Sequence, residues 1–298
     1  MNLIENELKI LNDYLKINLS VENKISDDIL DFIFSKSKRL RPKFIFLFAK
    51  ALDLEISDKI YHLAACSELI HNSTLIHDDI IDDAQLRRGK VSLNKKLGNN
   101  LSVLAGDFLL SVAMLHLAKC SNIKCFEIFS SSLQQMCKGE INQHFALNKI
   151  PTFDEYIEKS KNKTAELFNA SICALFEMEN IPNIKDASIF ALNYGIAFQL
   201  KDDLVNILKT DTSKPQLSDI YNGNYSAPVI FLQEKIDNIE TFSKEEMVNL
   251  VNTEEIILKT LNLIEEYAKK AIASIEFIKD NQYKQELITL CENLYKVV

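Results

Sequence analysis

Apolar residues recur at three- and four-residue steps along most of the chain, a spacing that places side chains on one face of an α-helix. Near the start, Leu3, Ile4, Leu8, Leu11 and Leu15 form such a face. The same periodicity predicts further helices at residues 24–35, 40–53, 57–82, 98–119, 122–148, 161–178, 184–209, 225–237, 243–252 and 254–278, with a last one near 282–296.

Short clusters of turn residues separate these predicted helices. The longest break runs from Thr210 to Asn224 and contains the turn signals Lys214-Pro215 and Asn222-Gly223. Neither a low-complexity linker nor an internal repeat interrupts the pattern. We therefore expect a single all-α domain that covers residues 1–298.

Composition supports long helices and argues against a sheet protein. The chain has 6 glycines and 5 prolines in 298 residues, whereas these two residue types make up about 12% of an average protein. Because turns between strands depend on glycine and proline, sandwiches, barrels and doubly wound sheets are disfavoured. The 47% share of hydrophobic residues suffices for a large core and excludes a disordered chain.

Charge and cysteine content restrict the possible binding partners and the cellular compartment. The net charge of −8 argues against a nucleic-acid partner. The six cysteines lack metal-binding spacing, so we expect buried free thiols in a reducing compartment. The longest uninterrupted apolar run, Phe44 to Ala49, is far shorter than the ~20 residues of a membrane span. We therefore expect a cytoplasmic protein.

An acidic cluster ends the long helix predicted for residues 57–82. Asp78, Asp79 and Asp82 lie within about one turn of each other, where their carboxylates repel and face the negative end of the helix dipole. The residues before them are apolar, which indicates a buried helix rather than a solvated acidic end. A hard divalent cation such as Mg²⁺ would relieve this repulsion.

A second acidic cluster lies on another long apolar helix. Asp202, Asp203 and Asn206 repeat the spacing of one and four residues. Two such clusters suggest two carboxylate walls that face each other across metal ions. Since Mg²⁺ binds through a few carboxylates together with substrate phosphates, the expected ligand is a diphosphate.

Several cations accompany these clusters, as diphosphate binding requires. Arginine suits bidentate contacts to phosphate, and lysine supplies a point charge. Lys163 is expected to begin a helix, where free backbone N–H groups add to anion binding. The candidate cations are Lys36, Lys38, Arg39, Arg41, Arg87, Arg88, Lys163 and Lys214.

Taken together, the sequence resembles the trans-isoprenyl diphosphate synthases of the polyprenyl synthetase family, in particular long-chain members such as the octaprenyl diphosphate synthases. The matching segments follow the family's order from about residue 36 to 228, and any single one is unspecific. They are Lys38-Arg39-Leu40-Arg41-Pro42, Glu68-Leu69-Ile70-His71, His77 to Asp82 with Arg87 to Lys90, Leu104 to Leu109, Gly139 to Gln143, Lys163-Thr164-Ala165 and Gly195 to Asp203.

The resemblance implies an all-α isoprenoid synthase fold, a bundle of long helices around a central cavity. It implies a homodimeric prenyltransferase that condenses isopentenyl diphosphate with an allylic diphosphate and whose product partitions to membranes. Metal binding, with about three Mg²⁺ ions, falls to Asp78, Asp79, Asp82, Asp202 and Asp203.

The remaining roles also follow from the resemblance. Lys163, Thr164 and Gln199 would act in catalysis together with the first aspartate motif. The allylic diphosphate would be held by Arg87, Lys163, Thr164, Gln199 and Lys214, and isopentenyl diphosphate by Lys38, Arg41, His71 and Arg88.

The sequence departs from the family pattern in three places. Lys36-Ser37 stands where the family has two glycines, Asn206 replaces the third aspartate of the second motif, and Asn224 replaces a loop lysine. The asparagine at 206 still offers a carbonyl oxygen, so we expect weaker but retained metal binding. The asparagine at 224 removes one phosphate contact.

Product length is predicted from the helix that carries the first motif. Ser73 and Thr74, five and four residues before Asp78, lie about one helical turn of 5.4 Å from the metal site. Both are small, where short-chain members of the family carry bulky aromatic residues. This favours a long all-trans product of hexa- to octaprenyl length for a quinone side chain. A shorter farnesyl or geranylgeranyl product, and a packing reason for the small Ser73, remain alternatives.

Three other protein classes share parts of the pattern. A class I terpene cyclase needs Ser or Thr, then Glu, four and eight residues after Asp202, but Asn206 and Thr210 stand there. A ferritin-like di-iron protein needs a second Glu-x-x-His besides Glu68 to His71, and none occurs. A non-catalytic subunit of a prenyl synthase would be expected to lose the first motif, which is complete here.

Overall fold

A computed structural model describes residues 3–19, 25–35, 37–208, 218–236 and 239–296. Helices make up 76% of the structure and strands almost none of it, which confirms the all-α prediction. The α-helices are α1 (Glu5–Lys16), α2 (Ile25–Ile33), α3 (Leu40–Ala51), α4 (Asp58–Ile81), α5 (Leu93–Leu97), α6 (Asn99–Lys119), α7 (Ile123–Phe145), α8 (Phe153–Ser160), α9 (Glu166–Met178), α10 (Ile184–Leu208), α11 (Ser218–Tyr221), α12 (Ala227–Gln233), α13 (Lys244–Val251), α14 (Glu254–Ala273) and α15 (Gln282–Glu292).

Contacts divide the chain into two compact units. The first unit contains residues Met1–Phe129, Ser171–Pro182 and Lys279–Lys284. The second contains Ser130–Ala170, Asn183–Ile278 and Gln285–Val298. The expectation of one domain for residues 1–298 stays a prediction.

In the first unit, α4 packs along α6 and is buried over most of its length. Gly106 of α6 permits this close approach, because a Cβ atom there would lie 2.2 Å from Nε2 of His77. The Ser73 hydroxyl of α4 donates to the Gly106 carbonyl at 2.8 Å. These contacts fix the helix whose last turn carries the first acidic cluster.

In the second unit, α10 packs against α14 and against a π-helix at Lys161–Ala165. Gly195 of α10 meets this π-helix backbone, and an added Cβ would lie 2.4 Å from Cα of Ala165. A glycine is therefore required where the two segments cross. This contact places the Lys163-Thr164 segment beside the helix of the second acidic cluster.

Five short elements are absent from the sequence-based prediction. They are α5, α8, the single-turn α11, a 3₁₀ helix at Ile239–Thr241, and an antiparallel hairpin of β1 (Leu86–Arg87) with β2 (Lys90–Val91). The hairpin turn has positive φ at Arg88 (53°) and Gly89 (78°), as type I′ turns do. Elements this short contain too few residues to establish an apolar period.

The expected helix start at Lys163 is wrong. Helical structure runs from Phe153 to Met178, through α8, the π-helix and α9. The run begins earlier because Thr152 and Glu155 form a capping box. The backbone N–H groups at 163–165 therefore lie inside a helix and are not free for an anion.

The α6 helix has 21 residues and is long and apolar enough to cross a membrane, judged by length and composition. Its most apolar stretch has a mean hydropathy of 1.8 and is 44% buried within the protein. Core helices of soluble proteins have the same properties, so this observation by itself is weak evidence for membrane insertion.

Candidate active site

The three aspartates at the end of α4 differ in how far they are exposed to solvent. Asp79 is buried, with 1% of its surface exposed, whereas Asp78 is half-buried and Asp82 is exposed. Successive residues of a helix point in directions about 100° apart, so adjacent aspartates enter different surroundings. Only the carboxylates at 78 and 82 reach solvent.

Arg87 of the β-hairpin pairs with the buried aspartate. Its Nε donates to Oδ1 of Asp79 at 2.7 Å, and its Nη2 donates to the same oxygen. The other oxygen, Oδ2, is buried and has no hydrogen-bond partner among the described residues. The two residues that the resemblance assigned to metal and to diphosphate thus form an ion pair here.

Arg88, the next residue of the hairpin turn, extends toward the end of α2. Its Nη1 donates to Oγ of Ser35 at 3.0 Å, and its guanidinium lies 5.8 Å from the Phe32 ring centroid. The turn therefore directs two consecutive arginines to different partners. Lys38, which was expected to join the same site, is exposed.

His71 of α4 lies in a cationic environment within the first unit. Burial, followed by the positive charges of Arg41, Arg88 and Arg87, holds the pKa of His71 well below its ordinary value. The imidazole is therefore neutral at pH 7 and can donate one N–H. Three arginines around a neutral donor form an arrangement suited to an anion such as diphosphate.

The second unit presents Lys163 and Thr164 on the π-helix. Lys163 Nζ lies 2.7 Å from Oε1 of Glu140 on α7. Gly139 allows α7 to approach, since a Cβ there would lie 3.1 Å from Cβ of Asn162. π-Turns within helices are frequent at functional sites, where the extra residue redirects side chains.

A chain of hydrogen bonds connects Thr164 to the second acidic cluster. Thr164 Oγ1 donates to Oε1 of Gln199 at 2.6 Å, and Gln199 Nε2 donates to Oδ1 of Asp203 at 2.8 Å. Tyr156 Oη donates to Oδ2 of Asp203 at 2.6 Å. Burial raises the pKa of Tyr156 well above its ordinary value, so its hydroxyl stays protonated. Asp203 is buried, whereas Asp202 is exposed.

Tyr156 was not anticipated by the sequence analysis. It lies on α8, whose eight residues give little periodicity. The local signal that could have revealed this helix is the Thr152-x-x-Glu155 pattern of a capping box. Its contact with Asp203, 47 positions away, has no signature in a single sequence.

A lysine from α8 contacts the asparagine that replaces the loop lysine. Lys159 Nζ donates to Oδ1 of Asn224 at 2.9 Å and sits 5.6 Å from the Tyr156 ring centroid. A positive charge therefore lies beside Asn224, although the asparagine side chain itself is neutral. Lys214 and Lys36 lie outside the described residues.

The available donors fit Mg²⁺ by their chemistry. In the first unit, Asp78 and Asp82 supply hard carboxylate oxygens that reach solvent, and Asp79 Oδ2 is a buried oxygen without a hydrogen bond to the described residues. In the second unit, the exposed Asp202 supplies such oxygens. Among the residues that the structure describes, no three His, Cys, Asp or Glu side chains form a metal-binding group by themselves. Mg²⁺ commonly binds through one or two carboxylates and completes its coordination with substrate phosphates and water.

The two positions proposed to set product length have different surroundings. Ser73 is buried against α6 through its bond to Gly106, so its small size has a packing reason. Thr74 is half-buried, and its hydroxyl donates to the carbonyl of His71 at 2.9 Å. Their role in chain length stays a prediction.

Known proteins resemble this chain over most of its length. The family model described as "Polyprenyl synthetase" matches residues 23–263. Solanesyl-diphosphate synthase 2 of Oryza sativa is 31% identical over 99% of this chain and 77% of its own length.

Solved structures extend this likeness to the whole fold. A heptaprenyl diphosphate synthase from Staphylococcus aureus has a TM-score of 0.91 and 25% identity, with 98% of this chain and 97% of that chain covered. A geranylgeranyl pyrophosphate synthase from Lactobacillus brevis has a TM-score of 0.88 and 26% identity, with 98% and 96% covered.

Proposed function

The chain belongs to the polyprenyl synthetase family and is a trans-polyprenyl diphosphate synthase, and we propose how its residues divide the reaction. The enzyme condenses isopentenyl diphosphate with an allylic diphosphate to make a long all-trans polyprenyl diphosphate. The isoprenoid synthase fold is shared with the solved synthases. The assignment of individual residues and the metal requirement are our proposals.

The arrangement that carries the residue assignment is His71 with Arg41, Arg88 and Arg87 near enough to act on its charge. We assign isopentenyl diphosphate to His71, Arg41 and Arg88, since these groups supply charge and an N–H donor within one unit. Arg87 and Lys163 supply cations for the allylic diphosphate. Bound Mg²⁺ would withdraw charge from this diphosphate as its C–O bond breaks.

Once the allylic diphosphate departs, a carbocation must persist long enough to be attacked by the double bond of isopentenyl diphosphate. The oxygens of Thr164 and Gln199 are placed to stabilise developing positive charge, because their hydrogen bonds hold them in fixed orientations. The apolar residues of α4 exclude water, which would quench the cation. The cation formed by this attack loses a proton as its new double bond forms, and the released diphosphate accepts that proton.

Mass analysis of the products tests this function directly. Purified protein is incubated with Mg²⁺, isopentenyl diphosphate and farnesyl diphosphate, and product length is determined. We expect hexa- to octaprenyl products, in line with a quinone side-chain role. Exclusive farnesyl or geranylgeranyl products would contradict the proposed length, and cyclised hydrocarbons would indicate a terpene cyclase instead.

We also propose a homodimer formed through α6. Leu101, Leu104 and Leu115 lie on one side of this helix and are exposed, and such apolar surface is typical of an interface. Leu104→Glu should shift the sedimentation mass toward a monomer. The matched control is Leu258→Glu on α14, where the leucine is 50% exposed against 61% for Leu104.

We propose a cytoplasmic location, because free cysteines suit a reducing compartment. A long polyprenyl product partitions to membranes, and we expect the enzyme to remain cytoplasmic. Fractionation of cells that express the protein tests this. Recovery in the membrane pellet after a high-salt wash would contradict a cytoplasmic enzyme and point to the exposed apolar side of α6.

A further inference from the structure

The carboxylate of Asp203 differs from that of Asp202, its neighbour in the second acidic cluster. Asp203 is 5% exposed and receives hydrogen bonds on both oxygens, from Tyr156 at 2.6 Å and from Gln199 at 2.8 Å. Asp202 is exposed. A buried carboxylate that accepts two bonds is held in one orientation, so its geometry depends on its donors.

These bonds also fix the orientation of the Gln199 amide. Its oxygen accepts from Thr164 and its nitrogen donates to Asp203. The reverse orientation would place the amide oxygen against the Asp203 carboxylate, with two acceptors facing each other. Asp203 therefore decides which atom of Gln199 faces Thr164.

Tyr156 begins this chain of bonds from a rigid position. Thr152 and Glu155 cap the helix that carries it, its ring is fully buried, and Ser160 Oγ donates to its backbone carbonyl at 2.9 Å. Its hydroxyl is thus placed by the backbone of α8. The phenol belongs to none of the motifs that define the active site.

From this geometry we propose that Tyr156 is a positioning residue for the allylic diphosphate: its hydroxyl orients the Asp203 carboxylate, and through it the Gln199 amide and Thr164. This rests on the proposed function of these residues. Tyr156 itself does not touch substrate or metal. Without the hydroxyl, Asp203 Oδ2 loses a donor in a buried site, and the carboxylate rotates toward another partner or water.

The test uses Tyr156→Phe, which removes one oxygen atom and keeps the ring. We expect the affinity for a non-ionisable allylic thiolodiphosphate in the presence of Mg²⁺, measured by calorimetry, to fall about tenfold. The KM for isopentenyl diphosphate should stay within about twofold, because its assigned residues lie in the other unit. Equal losses for both substrates would overturn the proposal, since they indicate a general structural defect.

Two controls keep the proposal falsifiable. Tyr61→Phe removes the hydroxyl of another buried tyrosine, in the first unit, and should leave both affinities unchanged. A double-mutant cycle of Tyr156→Phe with Asp203→Asn measures whether Tyr156 acts through Asp203. We expect the double variant to bind the analogue no more weakly than Asp203→Asn alone, and additive losses would overturn the proposal.

The same measurements separate this proposal from the proposed function. If wild-type protein does not elongate farnesyl diphosphate, the proposed function fails whatever Tyr156 does. If wild-type protein elongates it and Tyr156→Phe binds the analogue with unchanged affinity, only the positioning role fails. The variant's melting temperature and helical circular dichroism are recorded as well, and a fully folded variant with weakened analogue binding supports the proposal.

Discussion

Arg87 and Asp79 form a buried ion pair that links the β-hairpin to the last turn of α4. Two donors of the guanidinium meet one oxygen of a carboxylate that is 1% exposed. Such a pair costs desolvation free energy, and removal of one partner leaves an uncompensated buried charge. We infer that the pair shapes the first acidic cluster as well as serving the substrate.

The first prediction concerns that pair. Arg87→Ala should lower the free energy of unfolding by about 3 kcal/mol, measured by urea denaturation, and should raise the KM for the allylic diphosphate. Lys90→Ala on the same hairpin is the control, because its ion pair with Asp31 is solvent-exposed and contributes little. An Arg87→Ala variant as stable as the control would show that the buried pair is not structurally important.

The second prediction separates exposed from buried aspartates. Asp82→Ala should nearly abolish turnover without lowering the melting temperature, because an exposed carboxylate contributes metal binding and little packing. Asp83→Ala, also exposed and in contact with Lys95, is the control and should retain activity. EDTA should stop the reaction and excess Mg²⁺ should restore it. Wild-type turnover in Asp82→Ala would contradict the metal assignment.

The third prediction tests the division of the two diphosphates. Arg41→Ala and His71→Ala should each raise the KM for isopentenyl diphosphate more than the KM for the allylic substrate. The physical reason is the loss of a charge or of a neutral N–H donor from one cationic cluster. His144→Ala, an exposed histidine, serves as the control in the same steady-state assays. A larger effect on the allylic KM would reverse the assignment.

The fourth prediction concerns pH and a histidine pair away from the active site. Burial, followed by the nearby His62, lowers the pKa of His116 to about 4, and the two Nδ1 atoms are 2.9 Å apart. Below pH 6.5 His116 binds a proton in the unfolded chain, whereas in the folded chain it binds one only near pH 4. The free energy of unfolding therefore falls as the pH falls through this range.

Urea denaturation at two pH values measures this effect. His116 should make the protein about 2 kcal/mol less stable at pH 5 than at pH 7.5. His116→Gln should reduce this difference, since the substituted side chain does not titrate. An unchanged pH dependence in the variant would show that His116 binds its proton equally in the folded and unfolded chains.

The fifth prediction concerns product length. Thr74→Phe should shorten the products, because Thr74 is half-buried and is therefore less tightly enclosed than the buried Ser73. Ser73→Tyr should shorten them only with a loss of stability of about 1–3 kcal/mol, since Ser73 is packed against Gly106. Product length is measured by chromatography and stability by thermal unfolding. Unchanged products in Thr74→Phe would place the growing chain elsewhere.

Much of the fold could be predicted from the helical spacing of apolar residues alone. The helices α4 and α10 were predicted nearly to their ends, because long buried helices repeat the same spacing many times. The short α8 and the hairpin were missed because local capping and turn chemistry determine them. The prediction that a helix starts at Lys163 was wrong, because the capping box at Thr152 initiates the helix earlier.

The sequence by itself determined the all-α class through the spacing of apolar residues and the low glycine and proline content, and the two acidic clusters through spacing along single helices. It indicated the family through the resemblance of several motifs taken in order. Only the tertiary structure decided which aspartates are buried, since neighbouring helices determine the exposure of each helix face. Asp79 and Asp203 enter the interior and acquire donors from Arg87 and Tyr156, whereas Asp82 and Asp202 stay in solvent. Such pairings depend on how distant segments pack, and a linear pattern does not encode them.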